Sequence, residues 1–422
     1  MTSLQAPDDA HTATPTRPRS LWRNRDFLLL WLGQALSSVG GEATELALPL
    51  LVLAVTRSAL QAGVVTALNK VAGMLLTLPA GALIDRVDRK RLMFGCDAVR
   101  ALAVASIPVA LVLGRLSMLQ LDLFALVTGA CAACFRIANA ACLPRVVPRE
   151  QLGDAVARRE TTEGIVTLLG PPLGGALYAA ARALPFAADA VSYAASLAGL
   201  ALIRTPFQGE RSGRRRPLLH ELREGIRWVW RHRLVRFMAL VYGGFGLLFA
   251  GSPLCVLVLA QQRGASAAMI GVIFGLGGVG GVLGALIAPY VRRRVSFGRL
   301  IPLLHWGYAL LWPLYALVPT PLLMGVVEAA TLTNDQVYDV TWPSYRMALI
   351  PDALQGRVTG VLRLAPALTQ PLGLLVTGVL LQRIGPAATL YVLSAGIALL
   401  ALAVTLSPVV RTSPNEPQHP EA

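Results

Sequence analysis

The chain has 422 residues, of which 55% are hydrophobic and 14% charged, whereas a soluble domain carries about a quarter charged residues. That composition excludes an ordinary soluble globular protein and indicates an all-α integral membrane protein. The net charge of +15 does not mark a nucleic-acid binder, because the arginines fall between apolar runs and not on one soluble face.

Residues 1–25 are polar and lack the short apolar core of a cleaved signal, so they read as a tail. Runs of about 20 nearly uncharged residues, enough to cross a bilayer as helix, follow near 26–54, 60–84, 92–113, 119–143, 157–180 and 185–203. Six more lie near 236–259, 267–290, 298–317, 321–345, 358–382 and 386–408, and residues 409–422 form a second tail. The sequence thus predicts twelve transmembrane helices.

Ionisable residues at span depth are expensive and mark function by default. In the first span Glu42 and Glu45 stand one turn apart and share a face. Asn69 and Lys70 fall near the middle of the second. Burial in low dielectric disfavours the charged form, which lets a carboxyl exchange protons around neutral pH; a structural Glu–Lys salt bridge is the alternative for this set. The second span ends in "LPAGALIDRVDRKRL" (78–92), with Asp85, Arg86, Asp88, Arg89, Lys90 and Arg91 almost adjacent. Topology accounts for the bases but not for Asp85. Asp97 and Arg100 are spaced as an i,i+3 pair at the start of span three.

Arg136 and Asn139 share a face of span four, and with Asn69, Lys70, Glu328 and Tyr338 they are the substrate-cavity candidates. Cys131 and Cys134 form a C-x-x-C without a second pair or a His cluster, so they read as packing residues and no metal site is expected. Glu160 and Glu163 have Arg158 and Arg159 beside them, which favours structural pairing. "GPPLGG" at 170–175 lies inside span five. The segment 205–235 links the halves and contains an amphipathic helix with Leu218, Leu219, Leu222, Ile226 and Val229 on one face, suited to lie among anionic headgroups.

In the second half, Gly275, Gly277 and Gly280 match a dinucleotide fingerprint, but no strand precedes them, so they read as close-packing glycines. No P-loop is present, ATP is not the expected energy source, and no cofactor is implied. His305 reads as a packed core histidine. Span ten carries Glu328, Thr331, Asp335, Tyr338, Asp339 and Trp342 at 3/4 spacing, a stripe expected to line a central cavity. It suits proton carriers, a counter-charge for a cationic substrate, or partners for Arg136 and Arg346.

Two features organise the whole. The Arg-rich connections alternate with connections holding one base at most, which places both termini on the cytoplasmic side. "GALI" at 81–84 returns at 284–287, and "VPREQLGDAV" from Val147 resembles "IPDALQGRV" from Ile350, both at an offset of 203 residues. Equal offsets predict two parallel six-helix bundles, 26–204 and 236–408.

Gly81-x-x-x-Asp85-Arg86-x-x-Arg89-Lys90-Arg91 resembles the signature between helices 2 and 3 of the major facilitator superfamily. Gly170, Pro171, Gly174 and Gly175 resemble the helix-5 motif of its proton-coupled antiporters. With "FRIANAACLPRVVP" and "GRVTGVLR", residues 20–408 are similar to the branch of macrolide-type drug efflux and siderophore export proteins. The resemblance implies alternating access, a cytoplasmic gate in which Asp85 caps the helix beginning near Arg357, and a proton-carrying role for Glu42 in helix 1. Arg86, Arg89, Lys90 and Arg91 would then pair with acids such as Asp97. The same resemblance implies a monomeric proton-coupled exporter of a drug-like or secondary-metabolite molecule in the cell membrane. Glu42, Glu45, Asp335 and Asp339 are the coupling candidates, and protons, lipids and a small molecule the partners. A siderophore or lipid exporter and a non-transporting sensor are the rival readings.

Overall fold

The structure is a computed structural model that describes residues 21–84, 87–208 and 218–413. Six helices come first: α1 (Arg25–Thr56), α2 (Ala59–Ile84), α3 (Arg89–Val112), α4 (Met118–Val146), α5 (Leu152–Ala180) and α6 (Leu184–Leu202). A connecting helix α7 (Leu218–Arg231) leads to α8 (Arg233–Phe249) and α9 (Ser252–Gln262). Then come α10 (Ala267–Arg294), α11 (Phe297–Leu317), α12 (Pro321–Leu349) and α13 (Gln355–Leu406).

Short polar side chains start several helices by accepting from free backbone amides. Asn24 accepts from the amide of Phe27, Asp88 from Arg91, Ser117 from Gln120 and Ser266 from Met269. Among the described residues, nine helical stretches are long and apolar enough to cross a membrane, with α8 and α9 forming one of them. α13 is a single stretch in that count, but Gly385 (φ 77°, ψ 170°) breaks it into two crossings. α5 and α12 fall short because charged and polar residues run through them. With these the spans are twelve. Large apolar side chains such as Leu102, Val112 and Leu286, 74%, 83% and 72% exposed, cover the outside, as contact with lipid tails requires.

Within the first half α2 packs on α4, α3 on α4 and α6, and α1 on α5 and α6. The second half repeats the scheme with α10 on α12, α11 on α12 and α13, and α8 on α13. The halves meet where α2 contacts α13 and α5 contacts α10, the two pairings exchanged by the repeat. Small residues let backbones touch there. A Cβ on Gly63 would lie 2.8 Å from the carbonyl of Leu374, and one on Gly175 would lie 2.9 Å from the Cα of Gly271. These contacts, and the hydrogen bond from Ser58 to Gln382 at 3.2 Å, lie toward the end opposite the Arg-rich connections.

α7 departs from the face read in the sequence. Val229 is buried, but Ile226 is 38% exposed. Gly225 takes the contact position instead, because without a side chain it brings the α7 backbone against the carbonyl of Arg357, 2.8 Å from where its Cβ would be.

Candidate functional site

The first half encloses a cavity of about 490 Å³ whose walls include Glu42, Glu45, Asn69, Lys70, Arg136 and Asn139. These polar residues of spans one, two and four therefore meet at one site. Lys70 Nζ is 3.3 Å from Glu45 Oε1. Asn69 donates to the carbonyl of Ala125 and to Thr128 Oγ1, each at 3.1 Å, and Asn139 donates to Gln34 at 2.7 Å. These two amides brace α2 and α4 and the junction of α4 with α1. Among the described residues, Glu42 has no cation within salt-bridge distance and Arg136 no acid; Lys70 acts on Glu42 from farther away.

The glycines of α5 bring it into this site. A Cβ on Gly170 would overlap the side chain of Glu42, and one on Gly174 would lie 2.7 Å from the Cα of Ala43. Gly175 instead faces α10, and the carbonyl of Pro171 abuts Gly271. One stretch of α5 thus touches Glu42 on one side and the other half on the other. Nearby, Arg159 pairs with Glu163 at 3.1 Å and lies 3.8 Å from Glu160.

The stripe on α12 lies outside this first-half cavity. Glu328 and Tyr338 are buried, 8% and 3% exposed, because aromatic partners inside the second half hold them. Tyr315 donates to Glu328 and lies 3.2 Å from Thr331, and Tyr308 donates to Asp335. Tyr338 stacks on Tyr242 at 6.4 Å and meets the edge of His305 at 5.4 Å. Asp339 is exposed. Neither Asp335 nor Asp339 reaches Arg136 or Arg346 as an ion pair among the described residues. His305 is a core residue, its Nδ1 2.8 Å from the carbonyl of Ile301.

Asp85 and Arg86 lie outside the described residues; Gly81 lies within α2. The bases that follow have other partners than Asp97. Arg89 donates to the carbonyls of Ala141 (3.0 Å) and Phe207 (3.4 Å), and Lys90 to that of Ile203 at 2.7 Å. They hold carbonyls at and beyond the ends of α4 and α6, because a cation is favoured at a helix C-terminus. Arg91 is exposed. Asp97 is fully buried, accepts from Ser196 at 2.6 Å and faces Arg100 at 3.6 Å. Arg357 pairs with Glu224 of α7 at 2.7 Å.

Three further residues, Asp189, Tyr308 and Tyr315, hold polar positions that the sequence patterns did not single out. Asp189 is the one acid of the span 185–203, a signal in plain view. The tyrosines are spaced seven residues apart on α11, and nothing in their own sequence marks them as partners of α12.

A family model described as "Transmembrane secretion effector" matches residues 16–420. The chain is 28% identical over 404 residues to the multidrug efflux pump Tap of Mycolicibacterium fortuitum, covering 92% of this chain and 97% of that protein. It is 27% identical over 342 residues to the enterobactin exporter EntS of Escherichia coli O1:K1 / APEC, covering 79% and 80%. Among solved structures, a bacterial homologue of the iron transporter ferroportin in the inward-facing state superposes with a TM-score of 0.72 at 19% identity, over 92% of this chain and 98% of that one. The nucleoside transporter NupG gives 0.75 at 12%, over 92% and 100%.

Proposed function

This chain belongs to the transmembrane secretion effector family of the major facilitator superfamily, and we propose that it is a proton-coupled exporter of a drug-like or secondary-metabolite small molecule. It works by alternating access as a monomer in the cell membrane, with the Arg-rich connections and both termini in the cytoplasm. The observation that carries this reading is Glu42. It sits in the wall of a cavity lined by several charged residues, against the α5 segment that also contacts the other half, and among the described residues it has no ion-pair partner. A carboxyl so placed binds a proton when no substrate charge compensates it and yields it when one does. Glu45, engaged by Lys70, positions the site.

Inside-out vesicles with an acid interior test this reading. Cationic, neutral and anionic dyes are added while uptake and loss of the pH gradient are followed together. A cationic dye is expected to accumulate and dissipate the gradient, and Glu42→Gln to abolish both. Uptake that survives Glu42→Gln with its proton flux intact rejects the assignment.

One observation favours a second reading. Arg136 lines the same cavity, and among the described residues it has no acid partner, so it suits the anionic group of a siderophore-like substrate. Uptake of anionic and not cationic probes selects it.

A further inference from the structure

Beside Glu42, and partly lining the same cavity, lies a set of buried charges that neither the Glu42 site nor the gate uses. Asp97 on α3 is fully buried and Asp189 on α6 is 1% exposed. Arg100 is 3.6 Å from Asp97, its guanidinium 4.4 Å from the ring centre of Tyr193. Asp189 Oδ2 is 2.8 Å from Thr44 Oγ1 of α1, and Oδ1 is 3.2 Å from Ser192 Oγ. Asp189 is one turn from Tyr193 on α6 and lines the same cavity as Arg100. One oxygen of Asp97 and the Nε of Arg100 are buried without a hydrogen-bond partner.

The charge balance of this set is uneven. Among the described residues, Arg100 is within salt-bridge distance of Asp97 and no cation is within that distance of Asp189. A buried charge without compensation is heavily penalised, so the set is complete with one proton. We propose that Asp97, Arg100 and Asp189 form a proton-binding site in the first half, distinct from Glu42 and Glu45, with the exchangeable proton on Asp189. Asp97 keeps its charge because it is the closer to Arg100 and accepts from Ser196. Asp189 carries the proton because it is buried and Arg100 is within salt-bridge distance of Asp97 alone. Asp189 also lines the cavity. Breaking its O–H bond therefore delivers the proton to cavity water and leaves the Asp189 carboxylate held by Thr44 and Ser192, with no other reactant required.

The site is tied to the helix that carries Glu42. Thr44 lies between Ala43, which abuts Gly174, and Glu45, which pairs with Lys70. A Cβ on Gly40 would be 2.9 Å from the Cα of Asp189, so α1 and α6 are in backbone contact and α1 does not shift without disturbing the carboxyl. The other charged groups around the same cavity are Glu42 and Glu45 (α1), Lys70 (α2), Arg136 (α4), and Arg159 and Glu163 (α5). Of these Lys70 and Arg159 have their own acids.

Infrared difference spectroscopy on the full chain in lipid, titrated from acid to alkaline pH, tests the site without any transport. The proton-coupling role of Glu42 and this site can therefore fail separately. The carbonyl stretch of a protonated carboxylic acid is expected to disappear on titration, to persist in Glu42→Gln and to be lost in Asp189→Asn. Asp97→Asn leaves Arg100 facing Asp189 alone, so the same band is expected to vanish with Asp189 intact. Thermal melts qualify each variant as folded. A band unchanged in folded Asp189→Asn or Asp97→Asn overturns the proposal. So does the loss of every titrating carboxylic band in Glu42→Gln alone, an outcome that needs no change in the set itself.

Discussion

Glu42 and Glu45 sit one turn apart on α1, yet one faces a lysine and the other a glycine backbone. Gly170 leaves the room that the Glu42 side chain occupies. Gly170→Ala is expected to displace that carboxyl and lower gradient-driven dye uptake sharply. Gly164→Ala, where nothing lies within 4 Å of the added carbon, is expected to leave uptake unchanged. Tyr315 supports a buried carboxyl in another way, by donating to Glu328. Removing one partner of a buried polar group costs about 1–3 kcal/mol. Tyr315→Phe should therefore lower the apparent melting temperature in detergent, and by more than Tyr308→Phe, since Asp335 is less buried than Glu328. At this scale the polar residues of the first half were legible in the sequence, because a charge inside an apolar run stands out. Their partners were not. The direction of the α12 stripe depends on two tyrosines of α11 that only the folded chain places opposite Glu328 and Asp335.

Among the helices, α13 shows how local chemistry sets an element's shape. The spans read as 358–382 and 386–408 are joined by a single non-helical residue, Gly385, at φ 77° and ψ 170°, a region open essentially to glycine. Gly385→Ala is expected to destabilise the protein by about 1–3 kcal/mol, read as a lower apparent melting temperature. Gly356→Ala, inside the same helix with open space around it, serves as the control. The amphipathic period of α7 was legible too, but its contact face was not, because the decisive residue is Gly225. A hydrophobic pattern registers side chains, and here the absence of one made the contact.

For the molecule as a whole, twelve spans and the 203-residue offset were readable because hydropathy and repetition survive without knowledge of contacts. The end at which the halves meet was not, since nothing in either span marks which level of a helix touches its counterpart. Ser58 and Gln382 mark that level. In a background lacking the five native cysteines, Ser58→Cys with Gln382→Cys is expected to accept a short cross-linker. Cross-linking should arrest dye uptake, and cleaving the linker should restore it. Uptake that continues across the intact link would show that this end does not open during the cycle.

The seam between the halves has a mechanical consequence. Gly63 and Gly378 on one side, and Gly175 and Gly271 on the other, press main chain against main chain. Such a surface lets the two backbones approach closely along the seam.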